Sequence, residues 1–302
     1  MRKVLLFLLL FFGFMACQDE TQPEASIGEA DNFEYFLEDK LLDVWYPRLI
    51  DTVNGGYWTN FEYDWTRSEE QTKFIVTQAR DLWTAARALE LYPENDTFLQ
   101  AVQHGMDYLP QMWDAEHGGF YSYAPAFAKE GQNAEKMAYG NAFAIYAFAQ
   151  YAKVSNLVEA RDWAMKTFDW LEKTAHDPQH GGYFNRITRQ GESFPNVSSG
   201  NPFGANSTWG SAAWKDQNSS IHILEALTTL YEINPDSLVR ERLEEMLIVV
   251  RDTFVSDQGY LHLYAEADFT PVVHRDSSRE YIMDNLRYDH VSFGHDIETA
   301  FL

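Results

Sequence analysis

Two short segments carry the same pair of side chains. His222-Ile-Leu-Glu225 and His295-Asp-Ile-Glu298 are both His-x-x-Glu. In a helix, positions i and i+3 share one face, so the carboxylate can orient the imidazole, fix its tautomer and raise its basicity. Such a pair suits proton transfer near neutral pH. Each pair taken alone also reads as an ordinary helix salt bridge. Two histidines and two glutamates are a possible donor set for zinc or iron as well, but only if they converge on one ion at about 2 Å. The spacing supplies no such convergence, and no metal site is assigned.

Other residues are candidates for holding a ligand. Arg80 lies between Ala79 and Leu82 at the edge of an apolar stripe, where it either snorkels or aims at a ligand oxygen. Asn218 stands one turn before His222 and can bind a hydroxyl or cap a helix. Tyr139 stands one turn before Phe143. Aromatic residues make up 16% of the chain, and Trp209 and Trp214 flank a Gly-, Ser-, Asn- and Pro-rich stretch over 191–214. They are the tryptophans best placed as a platform for a sugar ring; the others read as core. There is no Gly-x-Gly-x-x-Gly, no P-loop and no Gly-x-Ser-x-Gly, so nucleotide cofactors and serine hydrolysis are unsupported.

The elements that must position these residues repeat. Gly55-Gly56-Tyr57-Trp58 recurs as Gly118-Gly119-Phe120-Tyr121 and Gly181-Gly182-Tyr183-Phe184, with a weaker copy at Gly259-Tyr260. The second glycines are 63 residues apart twice; the next interval is lengthened by the 191–214 loop. Between them the apolar spacing predicts helices near 31–50, 72–91, 96–113, 136–154, 157–175, 215–232 and 236–254, with another starting near 294. Ala142, Ile145, Tyr146, Ala149 and Ala152 show the pattern, and Asp96 and Asp236 read as helix starts. The unit is helix, glycine turn, short hairpin, helix. It cannot bury its apolar face alone, so the units must stack, and a closed ring of helix pairs leaves no exposed end. Arg80, Phe143, His222 and His295 then occupy equivalent places near the starts of corresponding helices and line one mouth of the ring, a suitable place for a concave site.

Lys and Arg number 23 against 46 Asp and Glu, a net charge of -23, which repels phosphate backbones and argues against nucleic-acid binding. The single cysteine excludes intrachain disulfides and cysteine-based zinc sites. Arg2 and Lys3 precede an apolar run over Val4–Phe14, which is shorter than the roughly 20 residues of a membrane span. The run ends at Met15-Ala16-Cys17, which resembles the lipobox of bacterial lipoproteins. Residues 1–17 are therefore expected to be a lipoprotein signal with Cys17 lipidated. Residues 18–30 suit a flexible tether, and 31–302 form the main domain. The implied location is the bacterial cell envelope, with the membrane reached only through the lipid.

The stretches Gln78-Ala-Arg-Asp-Leu-Trp83, Tyr139-Gly-Asn-Ala-Phe-Ala-Ile-Tyr146, Asn218-Ser-Ser-Ile-His-Ile-Leu-Glu225 and Ser292-Phe-Gly-His-Asp-Ile-Glu298 resemble the N-acylglucosamine 2-epimerase superfamily, and within it the cellobiose (mannobiose) 2-epimerases. The last two stretches are the most specific, and the resemblance covers about 31–302. It implies an all-α (α/α)6 barrel and C2 epimerisation of a reducing-end aldose through an enediolate, with no cofactor. By resemblance, His295 is one of two catalytic histidines and Glu298 its support. Arg80, Asn218 and His222 resemble residues that hold the sugar oxygens, polarise the carbonyl or assist ring opening, and Tyr139 resembles an aromatic residue at the site wall; Glu225, from its spacing, and Trp214, from its place beside the loop, are expected to bind substrate as well. The chain departs from the family in two ways. Ser219-Ser220 stands where Thr-His is usual, and the last third of the barrel, with the second histidine, is not in this chain. Six helix pairs at this period need about 380 residues, and Ile297, Ala300 and Phe301 begin a helix face just before Leu302. The barrel is thus expected to lack its last part, with epimerisation impaired. The competing readings are a glycoside hydrolase or lyase on a similar barrel and a non-catalytic glycan-binding lipoprotein. Hydrolysis needs two carboxylates roughly 5–10 Å apart, for which Asp81, Glu225, Asp296 and Glu298 are available.

Overall fold

The computed structural model describes residues 32–196 and 210–302. Cys17 and Trp209, with the leader and tether expected before residue 31, lie outside the described residues. The chain divides into two compact units, Met1–Leu42 and Asp43–Leu302. The described part of the first is a helical stretch ending in a π-helix, Phe36–Leu42, with the Lys40 ammonium 4.9 Å from the Tyr35 ring centroid.

The second unit is built from helix pairs. After α1 (Asp43–Leu49), α2 (Ile75–Leu91) packs on α3 (Asp96–Tyr108), α4 (Ala138–Ser155) on α5 (Val158–Ala175), and α6 (Gln217–Ile233) on α7 (Ser237–Val249). The first members of the pairs, α2, α4 and α6, also pack side by side. A short α8 (Arg279–Asp284) precedes α9 (Phe293–Phe301), which joins the inner row where Gln217 donates to Thr299 Oγ1 at 2.8 Å. The arrangement is that of the (α/α)6 barrel, and the described residues supply α2, α4, α6 and α9 of its inner ring. Burial follows the sequence. α4 is apolar on nearly all sides and is enclosed by α2, α5 and α6, whereas the outer α7 buries only Val239, Met246 and Val249. The caps differ by one residue from the sequence expectation at α3. Asn95, rather than Asp96, accepts the free N–H groups of Thr97 and Phe98. Asp236 caps α7 as expected.

The hairpins need a larger correction. Each glycine turn does close on itself by an isolated bridge, as in Trp113↔Phe120 and His176↔Tyr183. The strand that follows then pairs with the neighbouring unit. β1 (Glu135–Met137) runs antiparallel to β2 (Arg186–Thr188), and β3 (Lys215–Asp216) to β4 (Tyr264–Ala265). Phe74↔Tyr123 is the reduced form of the same link. The pairings Phe74↔Tyr123, Met137↔Arg186 and Asp216↔Tyr264 each fasten the residue before an inner helix to the next repeat. They fix the height at which that helix begins, and so the depth of the site residues in its first turns.

A buried ion pair lies beneath each turn. Asp51, Asp114 and Asp177 open the glycine turns, again 63 residues apart. They meet Lys73 at 2.8 Å, Lys136 at 2.9 Å and Lys215 at 2.7 Å, all nearly or wholly excluded from solvent. The lysines also donate to backbone carbonyls: Lys73 to Tyr57, Lys136 to Arg189, Lys215 to Gly181. The glycines make this packing possible. Gly119 has φ +72°, and a Cβ there would sit 2.4 Å from the Trp170 ring. Gly119→Ala combines left-handed backbone strain with overpacking, and is expected to cost about 2–4 kcal/mol of unfolding free energy in a denaturant titration.

Candidate active site

The first turns of three inner helices bring together most of the residues that the sequence singles out. His222, buried on α6, donates from Nδ1 to Glu225 Oε2 at 2.9 Å, the i, i+3 contact that the spacing predicts. This bond leaves Nε2 unengaged by Glu225 and directed toward α9. The imidazole lies against the rings of Tyr139 and Phe143 on α4, with centroids at 5.5 and 4.7 Å. Asn218, one turn earlier, bonds the Tyr139 hydroxyl. Burial raises the pKa of that phenol against the opposing effects of Arg80 and Asn218, so it remains a neutral donor. Arg80 on α2 spreads its guanidinium over Phe143, 4.6 Å from the centroid. It is exposed, and no ion pair engages it among the described residues.

The second His-x-x-Glu segment behaves differently. No hydrogen bond or ion pair joins Glu298 to His295 among the described residues. Instead Glu298 crosses to α6, with Oε1 3.7 Å from His222 Nε2. One imidazole thus stands between two carboxylates, one in contact and one far enough away for a water molecule or a substrate hydroxyl to intervene. His295 sits one turn before Glu298, its N–H capped by Ser292, and its buried Nδ1 has no hydrogen-bond partner. The correction has a simple cause. The i, i+3 spacing puts two side chains on one face, but the neighbouring helix decides which of them meet. Glu298 finds a closer partner on α6.

Trp214 is not drawn into this cluster. Its indole packs on Tyr264 and Tyr288 at 5.7 and 5.5 Å and donates to Glu266. One participant escapes the sequence reading. Tyr146, which fits the apolar stripe of α4, reaches the Glu225 carboxylate with its hydroxyl, and burial together with Glu225 raises its pKa. Trp83 stacks on Tyr146 at 4.9 Å and 22°. The signal was the repeat itself, since Trp83, Tyr146, Glu225 and Glu298 each follow Arg80, Phe143, His222 and His295 by three residues. Among the described residues no three His, Cys, Asp or Glu side chains gather as metal ligands.

The arrangement can hold an oxygen-rich ligand and move protons. A guanidinium, an amide and a phenol are hydrogen-bond donors, and an imidazole with a fixed tautomer offers its free nitrogen. Glu225 sets that tautomer, so Glu225→Ala is expected to abolish the predominance of the Nδ1-protonated form of His222. Long-range 1H–15N correlation spectra of the neutral imidazole report this directly.

The sequence profile of the family described as N-acylglucosamine 2-epimerase (GlcNAc 2-epimerase) matches residues 56–302. A cellobiose 2-epimerase of Dictyoglomus turgidum is 24% identical over 283 residues, covering 92% of this chain and 65% of that protein. A D-mannose isomerase of Marinomonas mediterranea is 27% identical over 216 residues, covering 69% of this chain and 48% of that one. The solved cellobiose 2-epimerase of Spirochaeta thermophila superposes with a TM-score of 0.73 at 29% identity, covering 91% of this chain and 62% of that one. The chain thus spans less than two thirds of the length of these relatives.

Proposed function

Because the chain belongs to the N-acylglucosamine 2-epimerase family, we propose that it carries the proton-transfer site of a sugar 2-epimerase. The substrate is the reducing-end aldose of a cellobiose- or mannobiose-type disaccharide. The observation that carries this reading is the cluster around His222: Glu225 at Nδ1, Glu298 opposite Nε2, and Arg80, Tyr139 and Asn218 alongside. In the reaction, His222 assists ring opening and Arg80 polarises the exposed carbonyl. A base removes the C2 proton to give an enediolate, and an acid on the other face returns it. His295 is the proton carrier contributed by this chain. Glu298 and Glu225 are the carboxylates beside the two histidine-bearing turns, and Tyr139 and Asn218 contact the sugar. Enolisation of an α-hydroxy aldehyde needs only a base and an acid, so the reading calls for no cofactor.

A second reading, aldose–ketose isomerisation, is favoured by the similarity to a D-mannose isomerase. It shares the first proton abstraction and differs in which carbon is reprotonated. Incubation with cellobiose and analysis of the products separates the readings. Glucosyl-mannose supports epimerisation, glucosyl-fructose supports isomerisation, and monosaccharides would overturn both in favour of hydrolysis. We also propose that Cys17 carries a lipid that anchors the protein in the cell envelope. Cys17→Ser is expected to move the protein from the membrane to the soluble fraction, and unchanged attachment would exclude this.

A further inference from the structure

Glu225 has partners on two different helices. Its Oε2 accepts from His222 Nδ1 at 2.9 Å within α6, and the Tyr146 hydroxyl donates to the same carboxylate from α4. Tyr146 is itself held. Its ring stacks on the Trp83 indole of α2, with centroids 4.9 Å apart and planes inclined at 22°. An i, i+3 contact alone leaves a long glutamate side chain with several free torsions; the phenol restrains it from across the helix seam. The Glu225 side chain is 17% exposed, so little water is left to solvate it in place of the phenol.

The contact differs in kind from its neighbour on the same seam. Seven residues further along each helix, Lys153 meets Glu232 at 2.7 Å. That pair is partly exposed and joins α4 to α6 as a surface ion pair. A lysine at position 146 would make the same link, but its ammonium would take up the Glu225 charge and repel an imidazolium. The phenol stays protonated, since burial and Glu225 both raise its pKa. It donates one hydrogen bond and leaves the charge of the carboxylate to His222.

We propose that Tyr146 is a positioning residue of the site: it acts on His222 through Glu225, occupying one lone pair of the carboxylate and so limiting how strongly the imidazole is held in its charged form. Its place in the reaction rests on the epimerase reading, in which His222 assists ring opening and must take up and release a proton at Nε2. A buried carboxylate with no other donor favours the imidazolium strongly, whereas one shared with a phenol favours it less and leaves Nε2 able to accept. The other polar groups around this imidazole are Arg80 on α2, Tyr139 on α4, Glu298 on α9, and Asn218 and Asp216 at the start of α6. Arg87 on α2 lies near Tyr146. Removing one hydroxyl from Tyr146 changes none of these, so its effect reports on Glu225.

Tyr146→Phe in the full chain tests this. Phenylalanine keeps a ring against Trp83, so the melting temperature should fall by no more than about 4 °C, the weight of one hydrogen bond. In protein carrying 15N-labelled histidine, the His222 signals are assigned by their loss in His222→Asn. The pH midpoint of that ring should move up by about half a unit to one unit in Tyr146→Phe. The acid limb of the rate of C2 exchange in cellobiose should move up with it. In a Glu225→Gln background the same substitution should leave the midpoint in place, because no carboxylate remains to carry the effect. An unchanged or lowered midpoint in Tyr146→Phe would overturn the proposal, and so would an equal shift in the Glu225→Gln background. The ring titration needs no substrate, so the two failures separate. If the unsubstituted chain exchanges C2 but Tyr146→Phe leaves the midpoint in place, this inference fails and the epimerase reading stands. If the midpoint moves but the unsubstituted chain gives neither exchange nor epimer, the epimerase reading fails and the coupling of Tyr146 to His222 stands.

Discussion

Replacing His295 by asparagine is expected to slow the incorporation of deuterium at C2 of cellobiose in D2O by about 10²–10⁴-fold, the usual loss when a positioned acid or base is removed. Asparagine keeps a similar size and a hydrogen-bond donor but cannot carry the proton. The expectation rests on three features of α9. Ser292 caps its first turn by accepting the His295 N–H, which fixes where the helix begins. Glu298, one turn later, is carried to His222, so this face of α9 looks toward the cluster on α4 and α6. His295 Nδ1 is buried without a partner, a state that is costly unless a ligand completes it. Since that atom bonds nothing in the free chain, the substitution should leave the melting temperature nearly unchanged. Exchange at C2 is the correct readout, because inversion needs two groups on opposite faces whereas exchange needs only one. Undiminished exchange in His295→Asn would remove His295 from the chemistry. Retention there with loss in His222→Asn would transfer the role to His222, whose Nε2 faces Glu298.

Much of this was legible in the sequence, and the exceptions have physical reasons. The 3.6-residue spacing of Ala142, Ile145, Ala149 and Ala152 marks α4 because an inner helix must be apolar on most sides. The glycine repeat marks the turns because only glycine accepts consecutive left-handed conformations under a packed ring. Strand pairing was not legible. β1 and β3 are two or three residues long, so they carry no alternation that could set a register, and their partners lie in the next unit. At the site, His222–Glu225 is local and follows from spacing. His222–Glu298 is a contact between helices and depends on how α9 seats against α6. Tyr146 fits a core stripe by its spacing; only the hydroxyl at its tip bonds Glu225. The position of Trp214 beside a loop suggests a sugar platform, but Tyr264 and Tyr288, far along the chain, take up the same indole. The 63-residue spacing of Asp51, Asp114 and Asp177 was visible, yet its meaning required Lys73, Lys136 and Lys215 to be seen beneath the turns.

Those buried pairs give the largest expected effect on stability. Lys73→Met should cost about 3–5 kcal/mol at pH 7, because it leaves the Asp51 carboxylate excluded from water without a counter-charge. For a domain of this size that is a fall in Tm of roughly 10 °C. Lys136→Met should cost less, since Asp114 keeps Arg189 at 3.1 Å. The double variant Lys73→Met/Asp51→Asn should recover at least half of the loss, as asparagine still accepts from Val53 and Asn54 but has no charge to bury. The loss should also depend on pH, and its sign follows from the pair. Burial alone would raise the Asp51 carboxyl, but the hydrogen bond from Lys73, aided by Asn54, holds it below its ordinary value. A folded-state value below the unfolded one stabilises the protein above about pH 4 and is lost as the pH falls through the folded value. Without Lys73, burial is unopposed by a cation, the folded value rises above the unfolded one, and protonation relieves the variant as the pH falls. The gap between wild type and Lys73→Met should therefore be widest at pH 7 and narrow steadily toward pH 4. Urea titrations across that range would show it, and a gap that stayed constant would mean that Lys73 acts through packing and its bond to the Tyr57 carbonyl rather than through the charge of Asp51.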